Sequence, residues 1–415
     1  MKKLLSSLLP DKAIGRNALI YSLGTYSSKI ISMLVFPIIA VELGLSDTGK
    51  YDLVLSTVTI LVPVFSLQLG DAAYRWLSDP DEKQKTIGVT ISALLTMVMI
   101  VFVSVATLLL YFLSPHPLLW IGSLILISQI LLGTMMQIVR GNGHIKLYTN
   151  VTILRSVIFS ASTLWAVFYT ESKLQNVLFS FAMANGVVLI LCIWKGFRKS
   201  QFAMSALSRD HFKTILNYVY PLIFNALGWM MLININKYII TAELGYEMNG
   251  VFAIAEKFAT AIYFLGIFYF FSAQDHFLSM IDLKNNAQSF RALLIKVGSF
   301  TSLGIILFVM ASFVLMPILF PDLSQSIQYM PWLAVANFLI ILSIYLGIPY
   351  TYEKKSKALA TTTIIGILTV IALSFILIKP LGLLGVCIAI CFGAMLILML
   401  RIRHVRSFFT QQSPL

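Results

Sequence analysis

Two stretches of the sequence, IIAVELGLSDTGKYDL at 38–53 and IITAELGYEMNGVFAI at 239–254, decide how this chain is built. Ile38, Ile39, Glu42, Leu43, Gly44 and Gly49 recur as Ile239, Ile240, Glu243, Leu244, Gly245 and Gly250 at one constant offset. In both stretches an apolar run ends at Glu-Leu-Gly and a second apolar run follows at once. This is the pattern of a helix closed by glycine, a tight outer turn, and a second helix started near another glycine. The same hairpin at equivalent places in the two halves implies that the chain is one bundle repeated.

Working outward, the rest of the chain is as apolar as these hairpins. Of 415 residues, 59% are hydrophobic and 11% charged, against about 25% charged in an ordinary soluble domain. No water-soluble core accommodates that much apolar surface. Apolar runs occur near 17–41, 50–70, 87–113, 118–139, 148–170, 174–194, 214–241, 249–271, 292–316, 326–350, 358–378 and 381–400. Each is long enough to cross a bilayer, which takes about 20 residues of helix. Each is predicted to be helical, because an unpaired backbone amide costs several kcal/mol in hydrocarbon and a helix pairs its amides internally. The fold class expected is an all-α polytopic membrane protein of about twelve transmembrane helices. Residues 1–194 and 214–415 would form two six-helix bundles joined by a basic cytoplasmic linker, 195–213. Six is even, so both copies insert the same way up, related by a pseudo-twofold axis along the membrane normal, with a central cavity between them.

The charge is distributed as topology. Twenty-three of the thirty Lys and Arg residues fall in alternate connections, three (Lys50, Lys173, Lys379) in the others, and four within spans. Cytoplasmic loops carry the excess of basic residues, so both termini are predicted to be cytoplasmic. The opening MKKLLSSLLP is broken by Ser6, Ser7 and Pro10 and reads as a retained amphipathic start rather than a cleaved signal. A formal charge of +13 would suggest nucleic acid only if the bases formed one solvated patch, and they do not. Cys192, Cys387 and Cys391 all lie in apolar runs and read as packing residues. No GxxxxGK[ST], HExxH or CxxC run occurs, and the outer connections are short, which argues against a P-loop ATPase and a membrane-embedded glycan enzyme. No cofactor or metal is implied.

Ionisable groups at membrane depth are the functional candidates, because a basic side chain at a helix centre costs about 2.5–3.5 kcal/mol unless it faces water or a partner. They are Lys29, Arg155, Lys237 and Lys257, with the single acid Glu256. At a rise of about 1.5 Å per residue, Arg155 lies roughly 10 Å above the cytoplasmic end of span 5, Lys29 near the midplane, and Lys237 and Lys257 in the outer half. Thr25 shares a polar stripe with Ser22, Lys29 and Ser32, while Asn225 and Asn236 nearly eclipse each other along span 7. Lys237 is close enough to the surface to snorkel, and Glu256 is expected to neutralise its neighbour Lys257 or to carry a proton.

Several stretches resemble one known family: Asn17 to Gly49 with Tyr51, LQLGDAAYRW at the exit of span 2 with Gly70 and Arg75, the span 4–5 turn with Arg140, Gly141 and Tyr148, PLIFNALGWMMLININKYIITAELG at span 7, and the lysine-rich turn before span 11. Together they are similar to the polysaccharide transporter branch of the multidrug/oligosaccharidyl-lipid/polysaccharide exporter superfamily, and within it to Wzx-type O-antigen repeat-unit flippases. One departure is Asn236, where many relatives carry Asp before the basic residue. The resemblance implies a flippase, not an enzyme, in the bacterial inner membrane. Its substrate would be an undecaprenyl-pyrophosphate-linked oligosaccharide, crossing from the cytoplasmic to the periplasmic leaflet by alternating access. A polysaccharide polymerase and a chain-length regulator would be its partners besides the lipid bilayer. Lys29, Arg155, Lys237, Lys257, Asn225, Asn236 and Thr25 would contact substrate, and Arg16, Arg75 and Arg140 would form a cytoplasmic gate. A multidrug/cation antiporter of the same superfamily and an integral-membrane glycan polymerase or transferase are the alternatives.

Overall fold

A computed structural model of the chain describes residues 12–79, 81–196, 208–267, 270, 273–274, 277, 286–353 and 355–410. The amphipathic start at 1–10, most of the basic linker and the side chains of Arg16, Thr25 and Asn225 lie outside the described residues. Among those described, the secondary structure is helical without strands. The helices are α1 (Lys12–Phe65), α2 (Leu69–Leu77), α3 (Glu82–Leu113), α4 (Pro117–Gly141), α5 (Ile145–Tyr169), α6 (Lys173–Gly196), α7 (Arg209–Ile267), α8 (Ala287–Leu319), α9 (Met330–Tyr345), α10 (Ile348–Tyr352), α11 (Ser356–Leu381) and α12 (Leu383–Thr410), with a single 3-10 stretch at Pro321–Tyr329 before α9.

Both α1 and α7 are two spans run together, so these elements take up the twelve predicted spans. The reversal within each is sharper than the predicted turn: it is one residue. Gly44 has φ 74°, ψ 167° and Gly245 has φ 85°, ψ 176°, a backbone region open in practice only to glycine. The helix resumes at the next residue in each case. The sequence suggested a tight turn here because helix, turn and helix are normally separate elements; a single glycine suffices when both flanking segments are driven to be helical by the bilayer.

Two compact units emerge. The first comprises residues 12–44 and 50–234, and the second 45–49 and 235–410. In the first, Ala73, Leu77, Val89, Met135, Val139, Val151, Val188 and Cys192 form one buried cluster. Leu69, Ala72, Ile87 and Ile91 form another with Ile215 and Val219 from the start of α7. Trp76 meets the Tyr218 ring edge-on with centroids 5.4 Å apart. Glu42, of the repeated Glu-Leu-Gly, pairs with Lys173 at 2.7 Å.

The second unit shows the repeat as physical symmetry. A Cβ on Gly49 would collide with the carbonyl oxygen of Tyr246, and a Cβ on Gly250 with that of Leu45. The two glycines and the two carbonyls exchange roles at the offset that relates the sequence repeats. Asn249 donates to the Gly49 carbonyl at 2.9 Å and is fully buried there. In the same unit α11 and α12 approach through Gly366 and Gly393: added Cβ atoms would strike Ile397 and Val370 respectively. Close backbone approach through small residues is how membrane helices gain contact where lipid supplies no hydrophobic drive.

Candidate functional site

Within the first unit, the best-defined candidate is Arg155 on α5. Its guanidinium lies over the Phe181 ring at 5.0 Å, and Phe181 meets Phe159 edge-on at 5.3 Å. Among the described residues no carboxylate pairs with it. The nearby hydroxyls do not need it either, because Thr152, Ser156 and Ser162 donate back to the carbonyls of Tyr148, Thr152 and Ile158 on their own helix. Lys29 on α1 is exposed, beside exposed Ile30 and Leu34. Arg140 at the end of α4 lies over the Tyr74 ring at 4.4 Å, and Arg75 on α2 is exposed.

The second unit corrects two expectations. Lys237 does not snorkel: it is 5% exposed and its Nζ lies 2.9 Å from Glu256 Oε2. Glu256 therefore pairs with Lys237, not with its neighbour Lys257, whose side chain is exposed. Neighbours in a helix do not face one another. Folding the two halves of α7 back at Gly245 instead brings residues at similar distances from the reversal together. Beside the pair, Asn236 is buried and accepts from Ser374 Oγ at 3.1 Å, so α11 is tied to α7 at this level.

A third group escaped the sequence reading altogether. Arg401 looked like a topology residue beside Arg403 and Arg406, yet it is 4% exposed. Its Nη1 donates to the Ser343 carbonyl at 2.6 Å, Nη2 to Thr363 Oγ1 at 2.9 Å and Nε to Thr362 Oγ1 at 3.2 Å. Ser343 is in the last turn of α9, where carbonyls lack helical partners and the macrodipole is negative. Arg401 thus closes α9 and ties it to α11 and α12. The one signal in the sequence was the polar run Thr361-Thr362-Thr363 inside an otherwise apolar span. Arg401→Leu leaves that carbonyl without its donor and is expected to cost about 1–3 kcal/mol. A lowered unfolding temperature in detergent, only partly restored by Arg401→Lys with its single-point charge, checks this.

Comparison with solved structures places the fold. The chain is similar in fold to an inward-facing multidrug resistance MATE family transporter of the MOP superfamily (TM-score 0.70, 13% identity, 93% of this chain and 96% of that one). It is similar also to the lipid II flippase MurJ in an inward closed conformation (TM-score 0.72, 13% identity, 94% and 87%). A third is a MOP superfamily transporter from Pyrococcus furiosus (TM-score 0.58, 15% identity, 98% and 98%). At these identities the likeness is one of fold: the all-helical, two-lobed transporter architecture. A comparison with curated protein sequences gives no significant match. A sequence family described as polysaccharide biosynthesis protein matches residues 14–273, well over half of the chain. The chain belongs to the polysaccharide biosynthesis protein family, on the fold of the MOP superfamily transporters.

Proposed function

We propose that the protein is a flippase that carries undecaprenyl-pyrophosphate-linked oligosaccharide repeat units, of O-antigen or a similar surface polysaccharide, from the cytoplasmic to the periplasmic leaflet of a bacterial inner membrane. The sugars and the two phosphates of such a substrate are too polar for hydrocarbon, while its C55 chain prefers to stay there. A transporter for it needs cationic, water-accessible positions at membrane depth and must leave the lipid tail in the bilayer. The observation that carries this reading is Arg155, a membrane-depth cation that lies on an aromatic face with no carboxylate paired to it among the described residues. An arginine offers paired donors that fit phosphate oxygens. Lys29 would take the headgroup nearer the midplane. Lys237 and Lys257, with Asn225, Asn236 and Thr25, would line the later path, and Arg16, Arg75 and Arg140 the cytoplasmic entrance. Alternating access by rocking of two bundles would move the cargo, and a polymerase with its chain-length regulator would consume it outside.

Deleting the gene tests this. Intact lipid-linked repeat units should accumulate on the cytoplasmic face while surface polymer disappears. Restoring the gene as Arg155→Ala, at equal membrane abundance, should lower surface polymer at least roughly tenfold, the size of effect that losing one charge-assisted hydrogen-bond set produces. Truncated repeat units would point to an enzyme. Normal surface polymer together with lost efflux of cationic compounds would replace the flippase with a drug antiporter.

A further inference from the structure

Asp71 and Gln137 in the first unit take no part in the reading above. Asp71 sits in the first turn of α2 and Gln137 on α4, where Gln137 Nε2 donates to Asp71 Oδ1 at 3.0 Å. The other end of the same amide, Gln137 Oε1, is sealed from solvent and has no hydrogen-bond partner among the described residues. The two facts share one cause. An ionised carboxylate only accepts, so an amide facing it can use its N–H but not its oxygen. A carboxylic acid facing the same amide uses both: the amide N–H donates to one acid oxygen while the acid O–H donates to the amide oxygen. A proton on Asp71 Oδ2 would supply the donor that the buried amide oxygen lacks beside an ionised carboxylate.

The surroundings favour that proton. A Cβ on Gly70 would lie 3.2 Å from Gln137 Cγ and 3.3 Å from Thr134 Cα, so α2 rests directly on α4 and Asp71 is half-buried between them. Burial raises the Asp71 carboxyl above its ordinary value, against the smaller, lowering effect of Arg140. Arg140 is engaged with the Tyr74 ring. The other ionisable groups on α2 and near it on the elements packed against it are Arg75, which is exposed, Lys83 and the Glu82–Lys85 pair at the exposed start of α3, and the exposed Arg209, Asp210 and Lys213 with His211 and Tyr218 at the start of α7. None of these places a second cation against Asp71 in the way that would hold it ionised.

The segment is also mechanically suited to respond. α2 follows a break at Leu67 and Gln68, whose φ values of 48° and 53° are left-handed. Non-glycine residues in that region cost on the order of 1 kcal/mol or more each, and they persist only where the surrounding packing holds them. Strengthening or weakening the bond between Asp71 and Gln137 acts on that balance.

We propose that Asp71 and Gln137 form a proton-binding site, with H⁺ as its ligand, that couples this transporter to a pH difference across its membrane. The coupling rests on the transporter reading; the proton site does not. The chemistry is a single association: a solvent proton joins Asp71 Oδ2 and is released from it, with no other bond made or broken.

The experiment is an infrared titration of the full chain in liposomes, followed by an export assay of the same variants. Wild type should show a carboxylic-acid C=O band appearing with a midpoint above that of an ordinary aspartate. Asp71→Asn should lose that band while keeping its unfolding temperature, because an asparagine amide makes the same two-bond pair with Gln137. Gln137→Glu should move the midpoint further up, since two facing carboxyls share one proton. A band unchanged in Asp71→Asn, or a midpoint unmoved by Gln137→Glu, overturns the proton site. In cells, Asp71→Asn should make surface-polymer export insensitive to collapse of the pH gradient. Export that still follows the gradient overturns the coupling while leaving the infrared site intact. If the cargo assignment is the part that fails, the infrared result stands and surface polymer is the same in every variant, the gene deletion included.

Discussion

Glu256→Ala is expected to lower the stability of the folded protein by about 3–5 kcal/mol, the cost of removing one partner from a buried ion pair. The asymmetry of the pair sets the direction. The Lys237 side chain is 6% exposed and that of Glu256 24%, so deleting the acid takes the counter-charge from the more deeply buried of the two groups. Deleting the lysine leaves a carboxylate that is partly hydrated already, and Lys237→Met should cost less than Glu256→Ala. The double variant Lys237→Met, Glu256→Ala carries neither charge of the pair and should recover part of the loss, as neutral replacements of buried pairs often do. Unfolding midpoints of the detergent-solubilised single and double variants, arranged as a cycle, measure this. Additive losses in the double variant would mean that the two groups do not act as a pair.

The second large effect is steric. Gly49→Leu and Gly250→Leu should each abolish accumulation of monodisperse protein. At both positions even a Cβ collides with a backbone carbonyl, of Tyr246 and Leu45 respectively, and a carbonyl in a helix cannot swing aside as a side chain can. Overpacking a membrane core with a whole side chain costs more than the 1–3 kcal/mol typical of an added methylene. Gly186→Ala is the control, since a Cβ there meets nothing within 4 Å; on an α-helix it should be neutral or slightly stabilising. Size-exclusion profiles of fluorescent fusions distinguish these outcomes. Normal profiles for both leucine variants would show that the hairpins do not make this crossing.

Much of this fold was legible before any coordinates. Twelve apolar spans had to be helices, because hydrocarbon leaves the backbone no other way to pair its amides, and the helices described occupy those spans. The repeated Glu-Leu-Gly marked the two reversals, because only glycine takes the conformation that Gly44 and Gly245 adopt. Arg155 could be singled out for a similar reason: a charge inside an apolar run is conspicuous whatever surrounds it. Sequence by itself also identified the family's character, since the resembling stretches lie at span ends and turns where geometry constrains residue type.

What only the tertiary structure decided is the partnership of each charge. Glu256 has Lys257 beside it in sequence, yet a helix turns successive residues about 100° apart, and the reversal at Gly245 delivers Lys237 instead. Arg401 sits in a run of bases that reads as topology, and only the packing of α9, α11 and α12 around it makes it a buried helix-end donor. Asp71 and Gln137 lie far apart in the chain and neither is unusual alone; their conflict over one amide exists only once Gly70 lets α2 rest on α4. Hydrophobic pattern is local and is written along the chain. Electrostatic pairing depends on distances of about 3 Å between helices, and those distances are set by packing.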